Sequence, residues 1–325
     1  MEEDIRNERK NLISKLKGVV GRSDEGRCPR NIVLIGSPGC GKSSFINSYA
    51  ASIADDYWRE YAFSGGKGSG KGTADQITVR IKRFEAKEYV TSSRLQGYAF
   101  PTLVDISGIQ DGECEITEEI LRLLFYGELK DNTNIRSVFT CGKNNGIQYM
   151  RSKYIGWNTK NSNKVHRIIV VANAMEPIPQ NLIQCVMKAA RPTGDKYTRE
   201  IPVFGIMTKI DQVDESSQEF KNRKQTFMEA LSLVGVSHRV AQCVNYCDTI
   251  DPMSTRTNQT LPDVDICFLR FMNVVCGSNY VVSNPDESYR SIYFKEKRQE
   301  FQRKMIIIIL AIIMLGLPCL LAAYI

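Results

Sequence analysis

The chain has 325 residues, 42% hydrophobic and 24% charged, a balance that suits one large folded domain or two small ones and excludes a disordered, collagenous or coiled-coil protein. Lys and Arg number 43 against 36 Asp and Glu, and the resulting +7 selects no partner by itself; no nucleic-acid partner is expected. Ten Cys against two His make no ligand array, and Cys243 and Cys247 with His238 nearby lack the paired spacing of a zinc module.

The opening stretch, MEEDIRNERKNLISKLKG, is charged and has no apolar core of signal-peptide length, so no secretory signal is expected and the thiols are expected to be reduced. Residues 1–29 read as a helical extension. The first strand, NIVLIG (31–36), runs into Gly36-Ser37-Pro38-Gly39-Cys40-Gly41-Lys42-Ser43 and then a helix-like segment from Ser44, SFINSYAASIA. That is a phosphate-binding loop in its required strand-to-helix context. Glycines let backbone N–H groups approach the β-phosphate and the helix N-terminus favours anions. Lys42 is expected to reach the β and γ oxygens and Ser43 to coordinate Mg²⁺. Cys40 reads as a spacer rather than a reactive thiol.

A second glycine-rich run, SGGKGSGKGT (64–73), resembles the phosphate loop of nucleoside monophosphate kinases, but its flanks differ. YWREYAF before it is no clean buried strand, and ITVRIKRF (77–84) after it alternates as a strand does. It reads as a connection where a switch loop lies in guanine-nucleotide-binding proteins, with Thr73 the candidate second Mg²⁺ ligand and Thr78 its rival. The strand TLVDI (102–106) ends in Asp105-Ile106-Ser107-Gly108, a pattern in which the carboxylate holds the Mg²⁺ shell, through water, and the glycine N–H meets the γ-phosphate. Many small GTPases place a water-orienting glutamine directly after that glycine. Here Ile109 stands there and Gln110 follows, so slow turnover is expected, with Lys42, Thr73 and Gln110 the candidate catalytic groups.

An insertion is expected around 111–164, ending in the polar run WNTKNSNK (157–164), before the strand RIIVVANA (167–174). At the end of IPVFGIM (201–207) stands Thr208-Lys209-Ile210-Asp211, fitting Asn/Thr-Lys-x-Asp. A carboxylate there can accept from both guanine N1–H and the exocyclic amine while the lysine stem covers the base. A weaker sixth strand is RVAQCVNY (239–246). Alternating strands and helices predict an α/β P-loop NTPase of G-domain type over 30–277, a three-layer sandwich on a mostly parallel, doubly wound sheet. Three motifs in order, each on a strand end, predict binding of GTP or GDP with Mg²⁺.

The phosphate loop, Asp105 to Gly108, VHRIIVVANA, REIPVFGIMTKID and the later VNY resemble the GTPase-like domain of the interferon-induced protein 44 family, within the broader class of septin-like and immunity-associated GTPases. The resemblance runs from about Asn31 to Gly277 and implies an innate-immune or stress-linked role. With thirty residues before the first strand, the TLDc domain of some relatives is not expected in this stretch.

Residues 278–304 read as a basic juxtamembrane linker, with Lys295, Lys297, Arg298, Arg303 and Lys304 against Glu296 and Glu300 in its last ten positions. Then follows MIIIILAIIMLGLPCLLAAYI (305–325), without a charge; as a helix it would cover about 30 Å, the thickness of a bilayer core. A single-pass, tail-anchored protein is expected, its N-terminal side cytoplasmic by the positive-inside rule, in the endoplasmic reticulum or outer mitochondrial membrane, with 295–304 against anionic headgroups. Three functional readings stay open: a slow GTPase aided by homodimerisation through the nucleotide face, a nucleotide-binding scaffold without hydrolysis, and a nucleotide kinase.

Overall fold

The computed structural model describes residues 2–55, 59–62, 80–112, 114–156, 161–194, 196–246 and 261–322, with side chains between 3 and 313 except at 114 and 161. In chain order the elements are α1 (Glu2–Val20), β1 (Asn31–Ile35), α2 (Lys42–Ile53), β2 (Lys82–Phe84), α3 (Ala86–Tyr89), β3 (Thr102–Asp105), α4 (Cys114–Phe125), α5 (Ile135–Asn145), α6 (Ile147–Tyr154), β4 (Arg167–Asn173), α7 (Gln180–Ala190), β5 (Val203–Thr208), α8 (Gln218–Ala230), β6 (Val240–Gln242), α9 (Pro262–Val275) and α10 (Tyr289–Ala322).

β1, β3, β4 and β5 are buried along their whole length, which is why, apart from polar residues at their ends, their sequences are continuously apolar rather than alternating. Successive side chains feed opposite faces. Val33, Ile35, Val104, Ile168, Val170 and Met207 join the core under α4, α7 and α8, whereas Ile32, Leu34, Leu103, Ile169, Val171 and Ile206 join the core under α1, α2 and α9. The result is three layers. The six strands lie in the order β2-β3-β1-β4-β5-β6, all neighbours parallel except β2 against β3. After β1 the chain passes to β3 on one side, then crosses to β4 on the other, so the carboxyl end of β1 is the topological switch point where such sheets bind ligands.

The expected second strand, 77–84, is described only from Arg80 onward. Its regular part is short because Arg80 and Ile81 pair with a different partner, the segment before α5: Asn132 N–H donates to the Ile81 carbonyl at 2.8 Å and Ile81 N–H to that of Thr133 at 3.0 Å. The sixth strand stops at Gln242 rather than reaching 246, since Tyr246 N–H turns to the hydroxyl of Ser48 in α2, 2.9 Å away. α1 packs along α9, with Leu16 fully buried and Arg9 paired at 2.6 Å with the buried Asp265.

The stretch 278–304 is not a free linker. Lys164 donates to the carbonyls of Pro285 and Glu287 at 3.0 and 2.9 Å, and the Glu287 carboxylate accepts from Thr198, Tyr126 and the Arg199 amide. Burial alone would raise that carboxyl's pKa, but the donors from Tyr126 and Thr198 outweigh it and hold the group below its ordinary value. α10 begins at Tyr289, fully buried in the core, and runs on as one helix into the apolar segment. Among the described residues no helix is long and apolar enough to cross a membrane. The expected span 305–325 falls partly outside them; within it, residues 305–310, 312 and 313 are exposed.

Candidate functional site

The carboxyl end of β1 is tightly fitted by backbone. A carbon added at Gly36 would lie 2.2 Å from the Val171 carbonyl oxygen of β4, so the loop can leave the sheet only through glycine. Gly39 and Gly41 have positive φ, +74° and +95°, a left-handed geometry that costs other L-residues about 1–2 kcal/mol. Gly41 caps α2, whose first residue is Lys42. The Lys42 ammonium is buried and folds back along the loop, donating to the carbonyls of Gly36 at 3.1 Å and Ser37 at 2.9 Å. Cys40 beneath it is buried and its thiol pKa is raised, chiefly by burial, against the opposing charge of Lys42. That is an inert spacer.

β3 brings the second motif alongside. Ser43 Oγ donates to the Asp105 carboxylate at 2.7 Å, so the two expected Mg²⁺ oxygens are adjacent although 62 residues apart in sequence. Gly108 packs on the loop so closely that an added carbon would lie 2.4 Å from Pro38 Cα and N, and Ile109 N–H donates to the Gly36 carbonyl at 3.2 Å. Ser107 is buried, its hydroxyl without a hydrogen-bond partner among the described residues. Gln110 is exposed, and Asp111 beyond it caps α7, accepting from Leu182 N–H at 2.6 Å.

From β5, Thr208 is fully buried and donates to the Cys40 carbonyl at 2.7 Å, tying the third motif to the first. The hydroxyl of this expected nucleotide-binding residue holds the loop. Lys209 takes a left-handed backbone, φ +59°, which turns the chain so that Asp211 stands exposed in the following turn. Asn245, beyond β6, points its amide at Gly41, 2.9 Å from where a Cβ would sit. No fixed spacing marks it in the sequence, where it stands only as the middle of the tripeptide VNY. Thr73 and Thr78 lie outside the described residues, as does the whole run 64–73. Ser37, Pro38, Gly39 and Ser44 stand partly or fully open on the same rim.

The strand order, the antiparallel β2 and the loop at the switch point fit a P-loop GTPase-like fold. No family model matches the chain, and no curated protein matches it. Among solved structures it is similar to the crystal structure of a bacterial selenocysteine-specific elongation factor, EF-Sec, at 10% identity and a TM-score of 0.33. That match covers 67% of this chain and 26% of the other, so the chain spans about a quarter of the protein it matches. The assignment to the class rests on the sheet and the loop; so loose a likeness adds nothing to it.

Proposed function

We propose that the protein binds guanine nucleotide with Mg²⁺ on the loop 36–44 and hydrolyses GTP slowly. The observation that carries this reading is the meeting of Ser43 Oγ and Asp105 at 2.7 Å directly beside the buried Lys42. Gly36 and Gly108 let the loop pack against β4 and Pro38 with no room for one extra carbon, and the buried Ser107 hydroxyl is without a partner among the described residues; both suit a loop held in shape to receive phosphate. Ser43 would hold the metal directly and Asp105 through water, Lys42 would meet the phosphates, and bound Mg²⁺ would neutralise their charge. Asp211, exposed after the left-handed turn at Lys209, and Asn245 beside Gly41 are the groups in reach of a base.

Nothing in the loop places Gln110 as a water-orienting group in the position next to Gly108. Ile109 occupies that position and packs against the core, which favours slow turnover and gives weight to a second reading, binding without hydrolysis. The kinase reading depends on 64–73, outside the described residues. Membrane attachment through 305–325, with the basic residues 295–304 facing anionic headgroups and the domain cytoplasmic, belongs to the same proposal, as does homodimerisation through the nucleotide face; an innate-immune or stress-linked setting rests on the family resemblance alone.

The test is release of phosphate from GTP and from ATP, with Asp211→Asn as the specificity variant. One charge-assisted pair contributes on the order of 1.5 to 3 kcal/mol, so the variant should bind GTP about 10- to 100-fold more weakly and gain xanthosine triphosphate. Full GTP affinity with no gain for xanthine would remove the guanine assignment.

A further inference from the structure

We infer that a cavity at the amino end of the sheet, between the 20–30 segment, the approach to β3 and the end of α9, binds a small phosphomonoester. It lies at the opposite end of β1 from the phosphate loop, so it stands apart from the nucleotide reading. The cavity measures about 200 Å³; Val20, Pro101 and Cys276 give it an apolar lining, and Arg27 and Arg30 give it charge. Its walls are fastened by backbone. Ser23 N–H donates to the Gly97 carbonyl and Ala99 N–H to that of Gly21, both at 2.9 Å. Arg27 N–H reaches the Arg22 carbonyl at 3.2 Å, and the Arg30 carbonyl accepts from Thr102 N–H at 2.9 Å, where β3 begins. A site already held in shape loses little to ordering when a ligand arrives.

The charge in it has no counter-charge. Arg30 donates to the Cys276 carbonyl, a neutral acceptor, and the Arg27 guanidinium makes no hydrogen bond or ion pair among the described residues. Beside Arg30, the buried Arg167 at the start of β4 donates to the carbonyls of His166, Val275 and Tyr280 and to no carboxylate. Burial, and then the neighbouring charge of Arg30, lowers its pKa to about 10. Burial also pushes the Cys276 thiol up to about 12, so it stays neutral. Of the acids on the adjoining turn, Asp24 is paired with Arg22 at 2.6 Å, and Glu25 is exposed and makes no ion pair among the described residues. Guanidinium groups gathered without a carboxylate repel one another and have lost water, and an anion between them relieves both. Their planar forks match phosphate oxygens in pairs. Two arginines favour a ligand with more than one negative charge, as a phosphomonoester carries near neutral pH. The apolar lining, and a volume below the roughly 300–1,000 Å³ of a drug-sized pocket, suit an ester on a short carbon chain.

Cys28, exposed on the cavity lining, is a local reporter, so binding at the phosphate loop does not mimic the signal. The test is its alkylation by N-ethylmaleimide, followed by peptide mass spectrometry on the full chain in detergent, with glycerol 3-phosphate as the probe and glycerol as the control. The phosphate ester should slow alkylation at least about tenfold at saturation, and glycerol should leave it unchanged. Arg27→Gln, at an exposed position that spares the fold, and Arg30→Gln should each raise the half-protecting concentration about tenfold or more, as loss of a charge-assisted bond requires. Should the thiol alkylate too slowly to follow, calorimetric titration with glycerol 3-phosphate, repeated on Arg27→Gln, makes the same comparison. A second arm adds phosphatidic acid to the micelles. Protection by the soluble ester supports a free ligand, and protection by phosphatidic acid alone supports the same chemistry on a lipid headgroup. Protection by neither, or undiminished protection in both variants, overturns the site.

Discussion

At residue scale, His166 shows how distant partners fix a protonation state. Its Nδ1 accepts the Asn31 backbone N–H at 2.9 Å, the first amide of β1, so the ring must be neutral there. Burial, with Arg199, Arg167, Arg30 and Lys164 around it, pushes its pKa from the ordinary 6.5 down to about 4. A base whose folded pKa is depressed favours folding fully above about pH 6.5, and that contribution is lost as pH falls towards 4, in total about 3 kcal/mol. His166→Asn should therefore flatten the loss of stability between pH 6.5 and 4 in denaturant unfolding; parallel curves for the two proteins would refute it. None of this was legible in the sequence, because the ring and its acceptor role are joined across 135 positions. Gly36 to Ser43, by contrast, was legible, since that site is built by consecutive residues. Asp105 lay between: its motif was readable, its 2.7 Å bond to Ser43 was not. Asp111 carries no local mark, and Asn245 only the tripeptide VNY around it.

At the scale of elements, apolar runs located β1, β3, β4 and β5, since strands covered on both faces are apolar at every position. They said little about β2 and β6, whose short pairings are decided by tertiary partners, Thr133 for one and Ser48 for the other. The basic segment before 305 read as linker because charge was its loudest feature, while the residues that dock it, Glu287 and Tyr289, are ordinary until their partners are known. α1 was likewise an extension by sequence and is an integral layer by packing. Arg9 enters the pair with Asp265, whose carboxylate also accepts from Tyr246. Removing one partner of a buried pair costs about 3–5 kcal/mol, and the remaining tyrosine bond should lessen it to about 2 kcal/mol. Arg9→Ala should lower the unfolding free energy by that amount in chemical denaturation. An unchanged midpoint would make α1 a mere appendage.

For the whole molecule, the layers place the nucleotide loop at one end of the sheet and the docked root of α10 on the face covered by α4, α6 and α7, and the apolar continuation of that helix gives the chain two characters. Truncation after Lys304 should yield a protein that no longer sediments with carbonate-washed membranes yet still binds nucleotide. Ile308→Arg with Ile312→Arg should have the first effect alone, each buried charge opposing insertion by about 2.5 kcal/mol or more. Retention of the truncated chain on membranes would contradict the anchor. The central claim is guanine nucleotide on the phosphate loop, and the most direct measurement is calorimetric titration of the full chain with GTP and with ATP in Mg²⁺, beside Lys42→Ala. GTP should bind more tightly than ATP, and the variant, folded as the parent is, should lose at least about a hundredfold in affinity, as removal of a buried cation proposed to meet the phosphates predicts. Equal affinity for both nucleotides would contradict the guanine assignment, and unchanged GTP binding by Lys42→Ala would contradict the site itself.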